Sequence, residues 1–496
     1  MTWDNLPSLY PVLILALGML AVLVAGLTRA GQRRETRLIL FIGLVALALA
    51  GVAGARVSGV TEISGLFRSD AFSRFVLFFG LITTGLTLVL ANNSREVAGR
   101  RMAEFTAILL ALCTGLFLMS AATDLLMAYL AMELVSLSSY ILTGFRRADL
   151  WSHEAALKYV IYGGVASGIM VFGMSLLYGL TGTTSFAGIS RELLYSTTLL
   201  GAGQVGELAV VVAGVFVFAG FCFKIAAVPF HQWCPDVYQG APTPFTGFLS
   251  VAPKAAGFAL ILRFLAEIFP AAGAHEARWP LITLLGIISA VTMTLGNFTA
   301  LNQLNVKRLL AYSSIAHAGY MLMGVIVLDT DGTAAVMLYL IVYLFMNLGA
   351  FAIIQLVSDS TGSSDLPAFT GLGTRAPLLA VFMGVFLFSL AGLPPLAGFI
   401  GKFYLFAALL RTNQFWLVML AVVGILNSVV ALFYYVRILR EMFLRAPEGE
   451  APVTPAVPAV VMAVLALLVV PTLVFGIYWE PIRSLAVYAA TALNLM

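Results

Sequence analysis

Apolar runs of about twenty residues recur along the whole chain, the first at 9–27, and about twenty residues of α-helix are what crosses the roughly 30 Å hydrocarbon core of a bilayer. A secretory signal would appear once, ahead of soluble sequence. The run at 9–27 is therefore read as a retained span. Hydrophobic residues make up 61% of the chain and charged ones only 10%, which excludes an ordinary soluble globular protein. The net charge of +4 is spread over short loops, so neither nucleic acid nor an acidic partner is implied. Cys113, Cys222 and Cys234 form no CxxC pattern.

The fold class expected is an all-α polytopic membrane protein with about fourteen transmembrane helices. Arginine-rich loops, with Arg29, Arg95, Arg100, Arg146 and Arg147 among them, follow odd-numbered spans. By the preference of Lys and Arg for the cytoplasmic side, both termini then face away from the cytoplasm. Span twelve, 376–411, is too long for one ordinary helix, since about 35 residues would reach about 52 Å. It breaks at GLPPLAG, where Pro394 and Pro395 remove backbone donors. Span seven, 208–231, breaks near Pro229 just after Lys224. Two interrupted, lysine-bearing spans five apart suggest two five-helix repeats, the second inverted because five is odd. The division expected is 1–103 for three N-terminal helices, 104–270 and 271–442 for the repeats, and 443–496 for a C-terminal helix.

An uncompensated charge near the bilayer centre costs roughly 2.5 to 3.5 kcal/mol or more, so ionisable residues inside spans need a reason. Glu133 lies about nine residues, or about 14 Å, into span five. Lys158 lies about one turn inside span six, and since spans five and six pack antiparallel, the two are expected to pair directly or through water. Lys224 and Lys254 sit too deep to snorkel. Burial penalises the charged form of an amine, so each can become a proton carrier, with Glu133 switching Lys224 by moving toward or away from it. Lys402 follows the double-proline break. His317, in mid-span, can relay a proton, although a packed, hydrogen-bonded histidine has the same sequence signature. The histidines do not cluster with acids or cysteines at metal-ligand spacing. No dinucleotide turn, P-loop or iron–sulfur cysteine set is present.

At MELVSLSSYIL, EAALKYVIYGG, PFHQWCPDVYQGAPTP, SVAPKAAGFAL, VKRLLAYSSIAHAGY and LAGLPPLAGFIGKFYLF the chain resembles the antiporter-like subunits of respiratory complex I, the proton-pumping NADH:quinone oxidoreductase. The resemblance covers spans four to thirteen and is strongest to the subunit N branch. Lys402 stands where the subunit M branch usually has an acid, and the chain stops soon after span fourteen where the subunit L branch continues into a lateral helix. The resemblance implies a hydrated mid-membrane chain of Glu133, Lys158, Lys224, Lys254 and Lys402. It implies other membrane subunits as partners and a bacterial inner-membrane location. FMN, iron–sulfur clusters and quinone are then handled by other chains, with no cofactor and no soluble small-molecule substrate in this one. The alternative is a subunit of a multisubunit sodium/proton antiporter.

Overall fold

The computed structural model describes residues 3–28, 33–97, 101–199, 204–270, 278–446 and 453–493. Arg29 and Arg100, two of the loop arginines from which the orientation is expected, lie outside them. Helices α1 (Tyr10–Thr28), α2 (Arg33–Arg56) and α3 (Ala71–Asn92) come first, with a hairpin of β1 (Thr61–Ile63) and β2 (Phe67–Ser69) between the second and third. Helices α4 (Met102–Ala121), α5 (Leu125–Thr143), α6 (Leu150–Thr181), α7 (Phe186–Leu199), α8 (Gln204–Ile225), α9 (Trp233–Gly240) and α10 (Thr243–Ile268) follow. Next are α11 (Arg278–Ala300), α12 (Val306–Val327), α13 (Thr330–Thr361), the one-turn α14 (Leu372–Arg375), α15 (Pro377–Ala391), α16 (Ala397–Arg411) and α17 (Phe415–Phe443). The last are α18 (Ala459–Val474) and α19 (Glu480–Thr491).

Twelve of these helices are long and apolar enough to cross a membrane. Span seven, expected at 208–231, is helical only to Ile225 in α8, and the half-helix α9 follows beyond its expected end; span twelve is divided between α15 and α16, and span fourteen is the shorter α18. Sequence periodicity did not anticipate α19, whose one buried side (Ile482, Ala486, Ala489 and Ala490) packs on the bundle. Polar caps start the helices where their first N–H groups have no partner inside the helix. Asp124 caps α5, Asp149 caps α6, Asn305 caps α12 and Asp329 caps α13.

Local geometry recurs between the two halves. α6 and α13 are each 32 residues long and each ends on a left-handed glycine, Gly182 and Gly362. After each, the chain turns back on the start of an earlier helix. Leu125 N donates to Thr184 O and Val306 N to Ser364 O, both at 2.9 Å. The interruptions match as well. Ala226 (φ 59°) and Gly392 (φ 87°) are left-handed, and a cis proline, Pro229 or Pro395, lies three residues beyond each.

α10 stands in the middle, its whole apolar window buried, against 22% for the peripheral α1. It is tied to the N-terminal helices by a fully buried ion pair. Arg263 Nη2 donates to both oxygens of Asp70 at 2.9 Å, and its Nε donates to Ser120 O at 2.7 Å. Arg68 and Arg263 share Glu267 at 2.8 and 3.2 Å. Asp70 also caps α3. Removing one partner of such a pair strands a charge, so Asp70→Asn is expected to cost about 3 to 5 kcal/mol. A lowered thermal midpoint of the solubilised assembly reports it. Glu62→Gln, at an exposed 3.5 Å contact with Arg68, is expected to change stability by less than about 1 kcal/mol.

Candidate functional site

The interruption of α8 leaves Lys224 in the last turn before the break, 2% exposed. Its Nζ donates to Ser136 Oγ at 2.8 Å, and Ser136 lies one turn beyond Glu133 on α5. Glu133 itself accepts a short hydrogen bond from Ser167 on α6. It is only half-buried, in line with Leu126, Leu130, Leu137 and Ile141, all more than half exposed. The acid expected deep in span five therefore lies at the edge of an outward apolar stripe.

A direct Glu133–Lys158 pair is not what the structure holds. Lys158 Nζ donates at 2.7 Å to Glu154, one turn back on α6, and at 2.7 Å to Asp236 on the half-helix α9. Ser167, the partner of Glu133, stands nine residues along α6 from Lys158, or about 13 Å of helix, so adjacency of the two helices does not bring the charges level. Asp236 in turn accepts from Arg308 of α12. Sequence reasoning passed over Asp236, although a carboxylate in the interrupted stretch was as visible as the lysines.

Lys254, on the central helix, is 1% exposed and donates to the carbonyl of Ser314 at 2.6 Å. Lys224 reaches the same helix one turn away. Gly257 leaves room for it, since a Cβ there would sit 2.8 Å from Ile225 Cγ2 and 3.3 Å from Lys224 Cγ. Sequence reading missed this residue, because a glycine in a helix carries no sign of what lies across it.

From Lys254 the polar groups continue along α12, where Ser314, His317 and Tyr320 recur every three residues over about 9 Å. Ser314 Oγ accepts from Tyr343 at 2.9 Å and meets Tyr238 OH at 3.3 Å. His317 lies between two hydroxyls, Nδ1 with Tyr339 at 2.5 Å and Nε2 with Tyr435 at 3.2 Å. Lys402 Nζ is 4.8 Å from the centre of the Tyr320 ring. It donates to Ala391 O at 2.9 Å and to Ser428 Oγ at 2.6 Å. Ala391 is the last residue before the break in span twelve, so the interruption that contains Pro394 and Pro395 also presents Lys402 with an acceptor. The break around Pro229 likewise separates Lys224 from α9. Among the described residues no group of three or more His, Cys, Asp or Glu is placed to hold a metal ion.

Interrupted spans with a buried line of lysines, hydroxyls and one histidine between them define an antiporter-like, ion-conducting membrane subunit. A sequence profile described as NADH:quinone oxidoreductase/Mrp antiporter, TM, matches residues 122–427. NADH-quinone oxidoreductase subunit N of Anaeromyxobacter sp. (strain Fw109-5) is 47% identical over 491 residues, 95% of this chain and 94% of the relative. A chain in the structure of respiratory complex I from Thermus thermophilus with bound aureothin superposes with a TM-score of 0.75 at 31% identity, covering 95% of this chain and 98% of that one. A chain of the Mrp complex from Dietzia sp. DQ12-45-1b has the same fold, with a TM-score of 0.83 at 23% identity over 100% of this chain and 98% of that one. The chain belongs to the NADH-quinone oxidoreductase subunit N family.

Gly257→Ala forces Ile225 and the stem of Lys224 to move. It is expected to destabilise the assembly by about 1 to 3 kcal/mol despite alanine's better helix propensity. Its thermal midpoint against that of Gly164→Ala, where a Cβ meets nothing within 4 Å, measures the difference.

Proposed function

We propose that the chain is the proton-translocating membrane subunit of a bacterial NADH:quinone oxidoreductase. Protons pass along Glu133, Lys158, Lys224, Lys254, His317 and Lys402, driven by redox chemistry in other subunits that carry FMN and iron–sulfur clusters and use quinone. The observation that carries this reading is the placement of three buried lysines against oxygens from neighbouring elements, with α12 bridging the second and third. Such an amine keeps its acceptor whether charged or neutral, so it can load and release a proton without losing its place. His317 fits the line for a different reason. A neutral imidazole donates from one nitrogen and accepts at the other, and with a tyrosine hydroxyl at each it can take a proton on one side and give one up on the other.

The same contacts favour protons over sodium. A hard cation takes oxygen ligands, and here ammonium groups occupy the oxygens of Ser136, Ser314, Ala391 and Ser428. The outward stripe around Glu133 supports other membrane subunits as partners, because a carboxylate is costly against lipid. The matching turns and interruptions support the division into two repeats at 104–270 and 271–442, the second inverted, between the segments 1–103 and 443–496. The loop arginines support termini on the non-cytoplasmic side of the inner membrane.

Lys224→Ala is expected to assemble and to lower NADH-driven proton pumping in inverted membrane vesicles by about tenfold or more. Normal pumping by the assembled variant refutes the assignment. For Lys254 the informative change is to arginine, whose guanidinium stays protonated and cannot pass a proton on. Lys254→Arg is expected to impair turnover; wild-type turnover leaves Lys254 an electrostatic role alone.

A further inference from the structure

Asp236 lies on α9, the eight-residue half-helix between the break in span seven and the central helix. Its two carboxylate oxygens are divided between helices, Oδ2 accepting from Lys158 of α6 at 2.7 Å and Oδ1 from Arg308 of α12. Arg308 also donates to Gln239 Oε1 at 3.1 Å, so it grips α9 at two positions. With Glu154 bonded to Lys158, two carboxylates face two cations. Lys158, Asp236 and Arg308 are all partly exposed, at 38%, 29% and 27% of their side chains. They are held by one another rather than by enclosure.

The buried side of α9 touches the neighbourhoods of Lys158, Lys224 and Lys254. Trp233 stacks on Tyr159, next to Lys158, with ring centres 4.3 Å apart and planes 14° from parallel. The indole Nε1 of Trp233 donates to Phe223 O, next to Lys224, at 3.1 Å. Tyr238 OH meets Ser314 Oγ, and the carbonyl of Ser314 receives Lys254. The second half places a charge in the same position with the opposite sign. Asp236 stands ten residues after the left-handed Ala226, and Lys402 ten residues after the left-handed Gly392.

We propose that Asp236 is a positioning residue for the proton path: its ion pairs with Lys158 and Arg308 clamp α9, and α9 carries the state of the Lys158 pair to the Ser314 carbonyl that holds Lys254. Loss of the Lys158 contact frees one end of the half-helix while Arg308 still holds it at Asp236 and Gln239. The clamp itself is independent of what the path carries. Its link to pumping rests on the function proposed above.

The native Cys234, wholly buried on α9, reports whether the half-helix is held. In the assembled complex, Asp236→Asn is expected to raise N-ethylmaleimide labelling of Cys234, measured on its peptide, by about fivefold or more, and Asp236→Glu to restore most of the protection. Lys158→Gln removes the same ion pair from the other side and is expected to expose Cys234 as well, which decides the matter if Asp236→Asn does not assemble. Unchanged labelling in an assembled variant of either kind overturns the clamp. For the link to Lys254, Asp236→Asn and Tyr238→Phe are each expected to reduce pumping, with the double variant no worse than the poorer single one, because both cut the same connection. Losses that multiply overturn the link. Normal pumping by Lys224→Ala instead overturns the function while leaving the labelling result to stand.

Discussion

An ammonium group held among hydrocarbon must be given oxygen by the protein, and which oxygen it receives decides what it can do. The guanidinium of Arg263 and the ammonium of Lys158 receive carboxylates from other elements. Lys224, Lys254 and Lys402 receive hydroxyls and backbone carbonyls, and among the described residues none of the three is ion-paired. A neutral acceptor satisfies the amine in either protonation state. The bundle thus holds cations in two kinds of surroundings, those met by carboxylates and those met only by neutral oxygens.

Helix interruption supplies part of that oxygen. An intact helix spends its carbonyls on its own N–H groups, so a lysine beside it finds few lone pairs unclaimed. Where α15 stops, Ala391 offers its carbonyl to a lysine that begins the next half-helix and folds back toward the gap. Two serines give oxygen without a break, Ser136 through its hydroxyl and Ser314 through a backbone carbonyl whose second lone pair remains open. Ser136 and Ser314 both lie inside regular helix, and Lys224 and Lys254 reach them from neighbouring elements.

Much of this was legible in the sequence, and what was missed has a physical pattern. Span positions and both interruptions follow from local signals, namely run length, paired prolines and a stretch too long for one helix. The lysines and Glu133 stood out because charge in an apolar run is rare. Partners were harder to see. Ser136, Ser167 and Ser314 look like any other membrane serine, and Gly257 matters through a side chain it lacks. A direct Glu133–Lys158 pairing failed on height, since antiparallel adjacency says which helices touch but not at what level. Asp236 was overlooked because a proline-rich stretch was read for its backbone rather than its charge. The outward position of Glu133 was masked by apolar composition on every side of α5, which gives no amphipathic stripe to separate core from rim.

The burial of α10 bears on how the molecule is made. Its sequence carries Lys254 and Arg263, each of which partitions poorly into lipid when the helix is alone. The neighbours that enclose it, α12 and α13, are synthesised after it. During synthesis the central helix therefore precedes part of its permanent surroundings. Asp70 and Ser120, already in place on the N-terminal helices, give Arg263 a berth from the outset. Lys254 has no such early host, because Ser314 arrives some sixty residues later. The order of synthesis therefore leaves one side of this helix open until the second half of the bundle closes over it.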